Sequence, residues 1–430
     1  MREFVTHTNV VNSFRVKDTN FTRERKLPFW RVAVLILRGW KMSIPNKINK
    51  FFKALGLLDS IPTASAFCQA REKMKPEFFK ALNGKTVELF YDNYEAEGLI
   101  KRWRGYLLWT VDCSHINIPD TAETREKYGV QVNQYGVEVV QAQVSFLCDL
   151  LNEITINSCM GSTTRSEKSF IFDEHTKYYR GDVLAIYDRL HTDYSVVAFH
   201  AKKGTDFLIR CPLKNTFREI EEFVKSGLRD KVVTLKVTEG QRRFVEENDL
   251  PTEVKVRLVR VRLDSGETEV LMTSLLDRKK YKVGDLKWLY GKRWGVETYL
   301  DRLKNQLEVE RFSSKKLIGI EQDFYAVVFL STLESALSKE DEEEVVEESR
   351  RKHLKYEYKI NKSVSYSALV DHVIDLLINR DKSPEEVVDE LSKLFKAGRT
   401  PIRPGRKFER KNLTPSRKLR YHKYKKRIWA

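Results

Sequence analysis

The chain has little of what would mark it as secreted, membrane-spanning or zinc-dependent. Its 430 residues hold only five cysteines, Cys68, Cys113, Cys148, Cys159 and Cys211, scattered without a CxxC spacing or a histidine at metal-ligand intervals. They read as thiols of a reducing cytosol, not as a disulfide or zinc framework. Met1 to Ser13 is polar and lacks the apolar core of a signal peptide. The longest apolar run, Trp30 to Trp40, is interrupted by Arg31 and Arg38 and falls well short of the roughly 20 residues that span a bilayer. There is no internal repeat. What is plentiful is positive charge: the formal net charge is +17 beside a hydrophobic fraction of 41% with 18 Tyr, 23 Phe and 7 Trp. That composition supports a real core and a cationic surface, whose natural partner is a polyanion, nucleic acid before membrane.

Four amphipathic patterns fill the first hundred residues, about Leu27 to Lys41, Ile44 to Leu55, Thr63 to Met74 and Pro76 to Tyr94. Thr63 suits a cap and Pro76 a first turn. Such a domain places Arg71, Lys73 and Lys75 on DNA in the manner of a helix-turn-helix, or serves as a packing or dimerisation module with a solvated basic face. Strands begin at Tyr106. The run Tyr106 to Val111 leads into Asp112, and Val139 to Leu147 with Asn152 to Cys159 reads as a hairpin around Asp149 to Leu151. A helix is expected over Glu167 to Tyr179, then a strand, Val183 to Tyr187, that leads into Asp188. Open α/β sheets carry their sites at such carboxyl ends; a strand-ending Asp in a turn is the plain alternative.

Residues 213–277 alternate apolar and polar in the strand runs Lys231 to Val237, Val254 to Leu263 and Thr268 to Leu275. Lys255, Arg257, Arg260 and Arg262 predict a cationic strand that meets DNA or protects a sheet edge. A mostly apolar helix over Gly319 to Ser338 follows, then an acidic block from Glu340 to Glu348, then helical patterns at Tyr366 to Ile378 and Pro384 to Phe395. Residues 399–430 carry thirteen Lys and Arg against a single acid, Glu409, and suit phosphate contacts.

Between these parts lies YGKRWGVETYLDRLK, Tyr290 to Lys304. As one helix at about 100° per residue it brings Tyr290, Arg293, Glu297 and Lys304 to a single narrow stripe. Taken alone, that is a solvated face with an ordinary Arg293–Glu297 pair. With Asp112 and Asp188 delivered by strands upstream, Glu297 becomes the third of three carboxylates. Acids gathered in one place repel one another unless they hold metal, and an all-oxygen donor set favours Mg²⁺ or Mn²⁺ over Zn²⁺. Two such ions activate and stabilise the two oxygens of a phosphodiester displacement. Asp301, one turn past Glu297, is a rival for the third position.

The spacing Tyr-x2-Arg-x3-Glu-x6-Lys at Tyr290, Arg293, Glu297 and Lys304 resembles the signature of bacterial insertion-sequence DDE transposases of the insertion-sequence-four type. Val111-Asp112-Cys113-Ser114-His115-Ile116, Tyr187-Asp188-Arg189 and Gln322-Asp323-Phe324-Tyr325-Ala326 resemble the same family, over roughly residues 105–335. Cys113 stands where the family more usually has Gly, and Leu190-His191-Thr192 departs from its usual sequence after the second acid. The resemblance implies an α/β fold, a ribonuclease-H-like core at 101–212 and 278–338 interrupted by the β-rich insertion at 213–277. Around it stand an N-terminal helical domain at 1–100, a helical C-terminal region at 339–398 and a basic tail at 399–430. It implies a Mg²⁺-dependent site, Mn²⁺ being possible, with two metals on Asp112, Asp188 and Glu297. Tyr290, Arg293, Lys304 and Arg189 are then DNA contacts; Trp294 either touches DNA or packs in the core. The implied function is cut-and-paste transposition in the bacterial cytoplasm at the nucleoid: cleavage at terminal inverted repeats and joining of the 3′-OH to target double-stranded DNA, by a homodimer. The alternatives are a transposase-derived DNA-binding regulator and a metal nuclease without strand transfer.

Overall fold

A computed structural model describes residues 1–403 apart from 24, 40–41, 133–135, 264–265 and 380. Most of the basic tail therefore lies outside the described residues. The chain opens with helices α1 (Arg2–Thr6) and α2 (Thr8–Phe14), which its sequence pattern did not announce, and continues with α3 (Phe29–Leu37), α4 (Ile44–Ala54), α5 (Ala64–Arg71) and α6 (Glu77–Ala96). Thr63 caps α5 as expected, its hydroxyl accepting the Ala66 N–H. Next come β1 (Leu107–Asn117), α7 (Ala122–Tyr128), β2 (Val130–Val132), β3 (Glu138–Asp149), β4 (Ile154–Gly161), α8 (Glu167–Phe170), β5 (Val183–Tyr187), α9 (Tyr194–Lys203) and β6 (Asp206–Cys211). The helix expected over Glu167 to Tyr179 is α8 followed by a π turn and a 3₁₀ turn.

The 213–277 segment supplies α10 (Arg218–Lys225), β7 (Asp230–Lys236), α11 (Glu239–Glu247), β8 (Glu253–Arg262) and β9 (Thr268–Thr273). It is followed by α12 (Val283–Lys292), α13 (Trp294–Asp301), α14 (Leu317–Leu337), α15 (Lys339–Arg351), α16 (Lys362–Leu377) and α17 (Pro384–Ala397). The acidic block is thus part of a helix, α15. Its Glu344 and Glu348 pair with Lys396 and Arg399.

Among the described residues, β1 to β9 form one mixed sheet in the order β2-β3-β1-β5-β6-β9-β8-β7, with β4 paired to β3, and Tyr358–Ile360 pairs with Arg399–Pro401 in a separate two-stranded sheet. β1 runs parallel to β5, β5 parallel to β6, and β3 and β4 form the expected hairpin. β9 pairs antiparallel with β6, so β7 to β9 extend the sheet. Side-chain alternation sorts β1 onto two faces. Leu107, Trp109 and Val111 join one apolar cluster, and Leu108 joins another with Leu184, Ile186, Leu286, Leu289 and Tyr290. Helix α12 therefore covers the face to which the even positions of β1 belong, Asp112 among them.

The centre of the helical part is α14. It is apolar all round and buried along nearly its whole length, as a helix packed from several sides must be. α3, α6 and α16 pack against it, so residues from the first hundred and from the C-terminal helices share one core. Arg71 belongs to that core. It is 3% exposed, and its guanidinium bonds Asp323 at 2.9 Å, Gln322 at 2.9 Å, Ser313 at 2.7 Å and the Gly319 carbonyl at 3.1 Å. Its expected place on DNA is thus corrected: a guanidinium is buried when a carboxylate and carbonyls are supplied to it, here by α14. Arg257 is corrected likewise. It is buried, and bonds Asp230 at 2.6 Å and the Tyr281 carbonyl at 2.7 Å. Arg260 bonds the Phe223 and Val224 carbonyls, so only Lys255 and Arg262 of the predicted cationic strand are fully exposed.

Candidate active site

Pairing between β1 and β5 ends at Thr110 and Ile186. Asp112 lies two residues beyond that point and Asp188 directly after β5. β1 itself continues to Asn117 against β3, so Asp112 is a mid-strand residue and not a strand end. The acids nevertheless emerge together where the parallel pair separates. Glu297 arrives from α13. The expected single helix from Tyr290 to Lys304 is in fact broken at Arg293, where the Arg293 N–H bonds Tyr290 and the Val296 N–H bonds Arg293 in tight i→i−3 turns. A π turn over Arg302–Gln306 follows. Lys304 sits in this widened turn, and its ammonium donates to the Ser114 hydroxyl at 2.6 Å and the His115 carbonyl at 2.7 Å, two and three residues along β1 from Asp112.

The charges of Asp188 and Glu297 both act on Asp112. Burial pushes the Asp112 carboxyl up to about 6; the Arg293 guanidinium opposes this, and the charges of Asp188 and Glu297 add to it. Burial also raises Asp188, but a 2.7 Å hydrogen bond from His191 Nδ1 and the Leu190 N–H at 3.0 Å bring it below its ordinary value. Glu297 accepts a 2.5 Å bond from Arg293, whose side chain is nearly buried. Tyr290 lies beside that guanidinium, 5.9 Å from ring centre to Arg293, and is buried. Burial raises the Tyr290 phenol while Arg293 and Arg210 lower it.

Trp294 is 60% exposed, which excludes the core-packing alternative. Arg189 is exposed beside Asp188. Asp301 is exposed and accepts a 2.6 Å bond from Asn305. Two neighbours escaped the sequence reading. His191 is one. Glu167 is the other: burial raises its carboxyl, His191 opposes and Asp188 adds. The Asp-x-x-His spacing after a buried strand was the available signal for His191; Glu167 lies twenty-one residues before Asp188, with no periodic link to it.

As donors, Asp112, Asp188 and Glu297 fit a hard divalent cation, because Asp112 carries charge that nearby cations leave partly unbalanced. They do not form a closed cage. Among the described residues no three His, Cys, Asp or Glu side chains are gathered closely enough to hold an ion.

The Asp112 shift has a measurable consequence. A carboxyl whose folded pKa exceeds its unfolded value of about 3.9 binds its proton more tightly in the folded state, so stability falls as pH rises from about 4 to about 6. Asp112→Asn is expected to stabilise the metal-free protein by about 3 kcal/mol at pH 7 and by little below pH 4. Thermal melts in chelator at both pH values check this; equal gains at the two would contradict it.

Comparison with known proteins places this site in a family. The family model described as "Transposase DDE domain" matches residues 112–333, just over half of the chain, and begins on Asp112. The chain belongs to the DDE transposase family. It is an enzyme, a DNA transposase, as the signature implied. The transposase is 22% identical over 318 residues to "Transposase InsG for insertion sequence element IS4" of Escherichia coli (strain K12), covering 72% of this chain and 70% of that one. A solved piggyBac transposase synaptic complex with hairpin DNA aligns over 94% of this chain and 86% of its own at 13% identity, with a TM-score of 0.42. No helix among the described residues of the transposase is long and apolar enough to cross a membrane.

Proposed function

We propose that the transposase catalyses cut-and-paste movement of an insertion sequence, with Asp112, Asp188 and Glu297 as its catalytic, metal-binding acids. The reading rests on one observation above the others: acids from β1, from the end of β5 and from α13 meet electrostatically at Asp112. Two Mg²⁺ or Mn²⁺ ions held there would activate the attacking oxygen and stabilise the leaving one at a phosphodiester. The chain's own residues do the rest. Arg293 and Lys304, now engaged by Glu297 and by β1, exchange those partners for phosphate oxygens; Tyr290 supports Arg293; Arg189 and the exposed Trp294 meet the DNA beside the acids. In this reading residues 101–212 and 278–338 are a ribonuclease-H-like core, 213–277 an insertion that extends its sheet, and 1–100, 339–398 and 399–430 helical and basic flanks. A homodimer pairs two element ends.

The test is a cleavage and strand-transfer assay on terminal inverted repeats in Mg²⁺. Wild-type protein is expected to cut at the ends and join the 3′-OH to target DNA. Cutting without joined product would instead make it a nuclease, and binding without cutting would make it a DNA-binding regulator.

A further inference from the structure

We propose that His191 is a positioning residue for Asp188: its Nδ1–H holds one carboxylate oxygen, Oδ1, and leaves Oδ2 for a divalent cation. The inference rests on the reading of Asp188 as a metal ligand. After β5 the chain makes a single 3₁₀ turn, Arg189–His191, with Asp188 as its cap. That turn returns the imidazole to the acid three residues earlier, at 2.7 Å from Oδ1. The Leu190 N–H reaches the same oxygen at 3.0 Å. A carboxylate oxygen can only accept, so the proton of this bond is on Nδ1.

The ring has little freedom to do anything else. It is 1% exposed, and its Nε2 is buried with no partner among the described residues. One face lies on Tyr187, with ring centres 5.3 Å apart. The Tyr187 hydroxyl is fixed in turn by Tyr179 at 2.6 Å and His200 Nε2 at 3.0 Å, and His200 Nδ1 by Thr205 at 2.7 Å. A buried imidazole that leaves one nitrogen unsatisfied while the other grips a site carboxylate is poorly explained by packing alone. Groups placed behind a metal-binding side chain orient it, and their loss typically weakens metal binding by roughly 10–100-fold.

Mn²⁺ titration by calorimetry, without DNA, tests this on the full chain. His191→Asn carries an amide nitrogen where Nδ1 sits, and His191→Gln carries one where Nε2 sits. We expect His191→Asn to keep Mn²⁺ affinity within about threefold of wild type and His191→Gln to lose roughly 10–100-fold, with melting temperatures alike. Wild-type affinity in both variants, equal loss in both, or retention by Gln and not by Asn would each overturn the proposal. If His191→Gln does not fold, a folded His191→Asn protein with weakened affinity overturns it and one with retained affinity supports it. Asp188→Asn separates the two levels of the argument. If that variant binds Mn²⁺ as wild type does, the metal role of Asp188 fails and this inference with it; if it does not, the His191 pair decides the inference alone.

Discussion

Asp112→Ala, Asp188→Ala and Glu297→Ala are each expected to lower DNA cleavage by roughly 10³-fold or more while leaving DNA binding largely intact. In the proposed reading, loss of one carboxylate weakens the hold on the cations, whose positive charge would offset the negative charge that develops at the phosphodiester. Binding is expected to survive because phosphate contacts would come from Arg and Lys side chains spread over the surface. Asp301→Ala is the internal control. Asp301 is exposed and tied to Asn305, so its variant should cut at near the wild-type rate. An active Glu297→Ala protein beside an inactive Asp301→Ala one would reassign the third acid. Gel-based cleavage with matched binding isotherms reads both quantities.

The largest effect on stability is expected at Arg71→Ala, at about 3–5 kcal/mol. The wild-type guanidinium ties α5 to α14 through Asp323, Gln322 and the Gly319 carbonyl, and Asp323 is itself only 2% exposed. Truncation leaves a buried carboxylate with the Ser313 N–H and hydroxyl as partners but no cation. Arg71→Lys should recover only part of the loss, since a single ammonium cannot make four divergent bonds. The loss should shrink in an Arg71→Ala, Asp323→Ala double variant, which removes the stranded charge. Urea unfolding of the four proteins measures the coupling. A cost under about 1 kcal/mol for Arg71→Ala would show that the clamp contributes little beyond an exposed pair.

These two sites differ in how far the amino-acid order reveals them. Asp112 and Asp188 follow runs of buried β residues, and Tyr290, Arg293, Glu297 and Lys304 recur at spacings near one helical period. Short-range regularities of this kind survive in the sequence, because period 2 and period 3.6 are set by backbone geometry within a few residues. They are enough to single out Asp112, Asp188 and Glu297 as candidate acids. They did not reveal the break at Arg293 or the π turn that carries Lys304 to β1, because a helix with an irregular turn presents much the same local pattern as a straight one.

Local order alone assigned strands and most helices and singled out Asp112, Asp188 and Glu297 as candidates. Tertiary structure alone decided which charges face inward. Arg71 and Arg257 look in the sequence like phosphate contacts; they are buried because Asp323, 252 residues away, and Asp230, 27 residues away, are brought to them. His191 looks like an interruption of a family pattern and becomes a partner of Asp188. A charged or polar side chain can leave water only where other elements supply its hydrogen bonds, and those partners are chosen by strand register and helix packing across the whole chain.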